Sequence, residues 1–131
     1  LGLPGESRET VLRTIDYLNR LPIQGVKLQL LHVLSDSDLA DLYRAGEYTP
    51  LEKEEYLTLV GDCIAHLRAD IVLHRLTGDG DKNTLLAPLW SLRKRDVLNH
   101  LHRYLKENHI RQGMSCKIDL SVIYNKPKEV L

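Results

Sequence analysis

The sequence predicts an α/β protein built of consecutive βα units, with parallel strands covered by helices. Three observations carry this. Two short apolar runs, at residues 25–34 and 70–76, have the composition of strands. Between and after them lie segments whose apolar residues recur at helical spacing. The chain also opens on Leu1-Gly2-Leu3-Pro4-Gly5-Glu6-Ser7, an apolar residue running into a Gly-Leu-Pro-Gly turn. A buried parallel strand ends this way when its carboxyl end must let a ligand approach the backbone, because glycine takes dihedrals other residues resist and proline stiffens the turn.

In order, Ser7 is placed to cap a helix over residues 8–21, with Val11, Leu12, Ile15 and Leu18 on one side and Pro22 as its stop. Residues 25–34 read as a single strand, Val26, Leu28 and Leu30 on one face, Lys27, Gln29 and Leu31 on the other. The polar turn at 35–38 leads into a short helix, 39–45, closed by Gly46. Thr49 or Pro50 starts the next helix, where Glu52, Glu54 and Glu55 favour the positive end of its dipole. Its buried stripe is Leu57, Val60, Ile64 and Leu67. A strand at 70–76 follows, then the Gly- and Asp-rich loop 77–81. A last helix runs from Ser91 to about Asn108 with Leu92, Val97, Leu98, Leu101 and Leu105 inward. From Met114 a weak alternation (Ile118, Leu120, Val122) is consistent with a further strand in a tail spanning 114–131.

Composition narrows the field. At 131 residues the chain is one domain's worth. Eighteen basic and 18 acidic side chains cancel, so bulk charge argues for neither nucleic-acid nor membrane binding. No apolar run is long enough to span a bilayer, and a cytoplasmic setting is expected. The two cysteines, Cys63 and Cys116, form no metal-ligand pattern. His100-x-His102 does not share a helical face, so no metal site is expected. No catalytic residue is assigned in this chain: no Ser/His/Asp or Cys/His nucleophile arrangement and no Walker-type loop is present. The start at Leu1, with almost no strand before the turn, reads as a piece of a longer protein.

The motifs carry a resemblance. Gly2-Leu3-Pro4-Gly5-Glu6-Ser7 resembles the GLPGE-(S/T) turn ending the fifth barrel strand of many radical S-adenosylmethionine (SAM) enzymes. LLHVLSDSDLADLYRAGEY resembles the sixth strand and following loop of a subgroup related to the elongator-type and methylthiotransferase-type radical SAM proteins. HRLTGDG followed by APLWSLRKRDVLN resembles that subgroup's post-barrel signature, and is the specific part. The match covers residues 1–113. It implies the carboxyl-terminal portion of a partial (βα)6 barrel holding SAM and a 4Fe–4S cluster. The cluster's three-cysteine loop would lie outside this chain, so neither cofactor is expected bound to the fragment alone. Where the family usually has Gly-Thr-(Pro or polar)-Leu after the sixth strand, this chain has Asp36-Ser37-Asp38-Leu39, without the glycine's backbone freedom.

Candidate sites gather at strand ends, where loops and helix amino termini converge. By resemblance Gly2, Leu3, Pro4, Gly5 and Glu6 would hold SAM through the backbone; otherwise they form an ordinary strand-to-helix turn. His32 and Val33 would flank the adenine, with the imidazole as readily satisfied by a local carbonyl. His74, Arg75 and Asp79 can form an anion or substrate pocket, or Arg75 and Asp79 can pair internally and fold the loop. Trp90 can stack on a substrate base or plug the rim. Arg93, Lys94, Arg95, Arg103, Lys106 and Arg111 give the last helix a basic face that either tracks RNA phosphates or is simply solvated. The resemblance thus implies part of an enzyme cleaving SAM reductively, with RNA bases, tRNA in particular, as the associated substrate class. The alternative is a non-enzymatic α/β binding or assembly module. The expected partners are the missing amino-terminal half of the barrel and, for the isolated fragment, a second copy in a homodimer.

Overall fold

A computed structural model describes residues 1–118 together with Leu120 and Ile123. Among the described residues four helices form, α1 (Arg8–Asn19), α2 (Asp38–Arg44), α3 (Lys53–His66) and α4 (Lys94–Glu107). The strands are short: β1 (Gly25–Lys27), β2 (Val33–Leu34), β3 (Val72–Arg75) and β4 (Leu85–Ala87), with a 3-10 turn at Leu89–Leu92. Strands β1 and β3 pair in parallel, Val26 opposite Leu73. The parallel pairing extends to the opening residue. The Leu1 nitrogen donates to the Gln29 carbonyl at 2.7 Å, and the Leu31 N–H donates to the Leu1 carbonyl at 2.9 Å. That alternation is the hydrogen-bond pattern of parallel neighbours, so the opening turn is fixed beside the carboxyl end of the 25–31 segment.

The expected alternation holds. Leu28 and Leu30 are buried and Lys27 and Gln29 exposed. The buried face meets Val11 and Ile15 of α1, Tyr56, Leu57, Val60, Cys63 and Ile64 of α3, and Val97 and Leu101 of α4 in one core. Helix α3 lies between α1 and α4, packing on both. Its approach to α4 depends on Gly61, where a β-carbon would fall 2.7 Å from the Tyr104 ring. The opposite sheet face carries Lys27, Gln29, His74 and Val72, the last 55% exposed.

Four sequence expectations are corrected. The 25–34 run is not one strand: its pairing with β3 lapses beyond Leu28, and Val33–Leu34 joins a second, antiparallel sheet with β4. The cause is the 77–81 loop, which reverses the chain after β3 and returns it as β4, a strand the sequence reading lacked. Helix α3 starts at Lys53, not Thr49 or Pro50, because Leu51 is drawn down against Gly2 and its carbonyl accepts from the Trp90 indole at 3.1 Å. Glu55 instead closes the helix start, accepting from the Glu52 N–H at 2.9 Å. Leu92 sits in the 3-10 turn and is exposed rather than inward. The alternating tail falls mostly outside the described residues.

At the amino ends of the strands a polar network stitches the layers together. Arg68, 2% exposed, donates to the carbonyls of Asn19 (2.7 Å), Leu21 (3.1 Å) and Ile23 (3.0 Å) and pairs with Asp70 at 2.5 Å. Asn19, also buried, accepts from the Arg68 N–H and donates to the His66 carbonyl. Gln112 donates to the carbonyls of Arg68 and Ile71. One side chain thus satisfies the end of α1 and the entry to β1, while the network holds the turn into β3.

Candidate functional site at the strand ends

The opening turn is built by two glycines in the left-handed region, Gly2 at φ +97° and Gly5 at φ +74°. Glu6 folds back so that its carboxylate accepts from the Gly2 N–H at 2.9 Å. The Tyr48 hydroxyl donates to the Gly2 carbonyl at 2.5 Å. Burial, and then the nearby Glu6 carboxylate, push the Tyr48 phenol up, so it remains a donor. Ser7 caps α1 as expected, accepting from the Thr10 N–H. Both polar backbone groups of Gly2 are therefore used inside the protein, and what the turn offers outward is the exposed segment Leu3, Pro4 and Gly5.

His32 lies where the first sheet gives way to the second. Its ring is held between Gly78 and Gly80, where β-carbons would fall 2.6 Å and 2.9 Å from ring atoms. Its Nε2 is buried with no hydrogen-bond partner among the described residues, so the local carbonyl offered as its alternative does not satisfy that nitrogen. Burial, and then the Lys94 charge, hold the imidazole below the usual histidine range. The sign follows: the unfolded chain takes the proton first, so the neutral ring's full stability is present above about pH 6.5 and declines as pH falls through the window below it. Urea midpoints measured from pH 7.5 to pH 5 are expected to fall more steeply for the native chain than for a His32→Asn variant. Equal slopes would remove His32 from that role. Val33 is fully buried, backbone and side chain alike, and pairs with Ala87.

The third cluster is only partly brought together. Arg75 and Asp79 form an ion pair at 3.2 Å, the internal pairing that the sequence left open. Lys94, the first residue of α4, joins Asp79 from the other side. His74 is not among them: strand alternation turns it to the opposite face, where its ring covers Gly25 so closely that a β-carbon there would collide with it. Trp90 is partly buried and packs against the core. Its ring centroid is 5.5 Å from that of Tyr56 at a 42° tilt, and the buried Tyr56 donates to the Leu76 carbonyl at 2.7 Å. Tyr48, Tyr56 and Lys94 thus organise the strand ends, and the sequence reading assigned none of them there. Lys94 lay within the basic run already noted, but no local signal distinguished it.

A cleft of about 450 Å³ opens between the turn and α3, lined by Gly2, Glu6, Val11, Leu51, Arg8 and Asp62, the last two paired at 2.6 Å. Among the described residues no group of three His, Cys, Asp or Glu could hold a metal. Cys63 is buried in α3 with its thiol pushed up to about 12, chiefly by burial, and Cys116 lies at the far end of the sheet beside Asn19. These donors do not fit an iron–sulfur cluster, which requires clustered thiolates. Nor is any helix among the described residues long and apolar enough to cross a membrane.

A parallel strand pair backed by helices, with the glycine turn and the glycine-bearing 77–81 loop at its carboxyl end, makes this an α/β fold. Residues 23–107 match the Radical_SAM C-terminal domain, and the chain belongs to that family. It is 32% identical over 112 residues to YtqA of Bacillus subtilis, covering 86% of this chain and 35% of that protein. It is 32% identical over 111 residues to YhcC of Escherichia coli K12, covering 85% of this chain and 36% of that protein. The chain therefore spans about a third of the length of these relatives. Among solved structures, the archaeal Elp3 of Methanocaldococcus infernus with its N-terminus deleted shares the fold. The TM-score is 0.66 at 15% identity, over 85% of this chain and 26% of that one.

Proposed function

We propose that this chain is the carboxyl-terminal part of a radical SAM enzyme acting on an RNA base, with tRNA as the favoured substrate class. The observation that carries the reading is the docking of the opening turn, through Leu1, onto the carboxyl end of the 25–31 segment in a chain that belongs to this family. SAM, when bound at a 4Fe–4S cluster held elsewhere in the longer protein, supplies a 5′-deoxyadenosyl radical by reductive cleavage. This chain's residues bind and orient. The exposed backbone of Leu3, Pro4 and Gly5, held by Gly2 and Glu6, would meet the methionine portion, and His32, with Val33 behind it, the adenine. Arg75 and Asp79 would face the substrate, with Trp90 closing the rim and His74 on the other sheet face. In the longer protein the missing barrel half would cover the face bearing Val72 and His74; in the isolated chain a second copy would.

The test uses the full-length protein containing this chain, reconstituted with iron and sulfide and supplied with SAM and a reductant. Formation of 5′-deoxyadenosine is expected. Its absence, with the cluster present by absorbance, would favour the non-enzymatic α/β module instead.

A further inference from the structure

We propose that a second cleft, between the start of α3 and the start of α4, holds a phosphate-bearing nucleotide of an RNA strand. The cleft has a volume of about 410 Å³ and is lined by Lys53, Leu89, Trp90, Arg93, Asp96 and His100. That volume suits a single nucleotide-sized group. The Lys53 ammonium donates to His100 Nδ1 at 2.8 Å, which fixes the neutral imidazole's proton on Nε2 and leaves a further N–H donor. An ammonium, a guanidinium and an imidazole thus line the cleft together with a single carboxylate, Asp96. Neither Lys53 nor Arg93 has an ion-pair partner among the described residues, whereas Asp79 nearby is shared by two cations. Leu89, 63% exposed, and the Trp90 ring supply an apolar wall of the kind on which a base can lie.

The surface continues the same chemistry. Arg95, His102, Arg103 and Lys106 are all exposed on α4, spaced so that they follow one side of the helix. That side adjoins the cleft only at Arg103, three residues on from His100, so a polyanionic backbone crossing α4 there would meet further cations, which favours a nucleic-acid strand over a free nucleotide. The inference deepens the RNA part of the reading above and rests on it.

The experiment measures binding of a labelled single-stranded oligoribonucleotide and of bulk tRNA to the full-length protein across a range of salt concentrations. Lys53→Ala and Arg93→Ala are each expected to weaken binding several-fold and to lower the slope of log affinity against log salt by about 0.7. Arg13→Ala, on the exposed side of α1 with α3 between it and this cleft, is expected to change neither. Equal loss in all three variants, unchanged slopes in the first two, or displacement of RNA by polyglutamate at equal charge would overturn the cleft. Absence of RNA binding by the native protein would overturn the RNA reading together with it. Reductive SAM cleavage without RNA, assayed on the same preparations, separates these outcomes from failure of the enzyme reading.

Discussion

Replacing Arg68 by alanine is expected to destabilise the chain by about 3–5 kcal/mol, at about 1 kcal/mol or more for each buried acceptor left without its donor. Three carbonyls, those of Asn19, Leu21 and Ile23, lose their donor at once, and Asp70 loses a partner at 2.5 Å. Water cannot replace the guanidinium readily, because the site is almost fully enclosed. Arg68→Lys is expected to recover little: a single ammonium cannot reproduce a planar fork that reaches three carbonyls and a carboxylate. Asn19→Ala is expected to cost less, about 1–3 kcal/mol, and to be strongly non-additive with Arg68→Ala because both act on the same network. Urea unfolding of the three variants and the double variant measures this. A loss below about 1 kcal/mol for Arg68→Ala would show that the network tightens the fold without holding it.

Nothing near Arg68 in the chain announces that role. It ends a helical stripe of Leu57, Val60, Ile64 and Leu67, and an arginine there reads as the place where the buried face gives out. The carbonyls it reaches lie 45 to 49 positions away, so only the packed fold brings them together. The same distinction separates the legible from the hidden throughout. Patterns set by local geometry were visible: the stripes of α1, α3 and α4, the alternation of Lys27, Leu28, Gln29 and Leu30, the Ser7 cap, and the glycines of the opening turn. Features set by encounter were not. The apolar run at 25–34 carries no mark of where one sheet hands over to another, because both sheets want the same residue types. Likewise Asp79 could be foreseen as Arg75's partner, four residues on, but Lys94 reaches it from a different element.

That handover is where the second large effect lies. Gly78 is buried, and a β-carbon on it would fall 2.6 Å from His32 Cε1, 2.8 Å from Nε2 and 3.2 Å from the Leu30 carbonyl oxygen. Gly78→Ala is therefore expected to cost about 1–3 kcal/mol through overpacking. The ring cannot simply retreat, since it is also packed against Gly80, where a β-carbon would fall only 2.9 Å from Nδ1. His32→Ala empties the space between the two glycines and removes a buried nitrogen that has no partner among the described residues, so its own cost is a cavity partly offset by that relief. In the His32→Ala background the Gly78→Ala substitution should become nearly neutral, leaving only the close approach to the Leu30 carbonyl. A coupling of 1 kcal/mol or more is the expected result of the double-mutant cycle, well above the few tenths at which distant sites merely add. Additive costs would mean that the loop finds another path around an alanine and that His32 does not set it. The cycle bears on function as well, because the 77–81 loop and the strand-end histidine border the surface proposed to meet SAM. If the imidazole is the element that holds the loop in place, Gly78→Ala in the full-length protein should weaken SAM binding, and His32→Gln, which keeps bulk at that position, should weaken it less than His32→Ala.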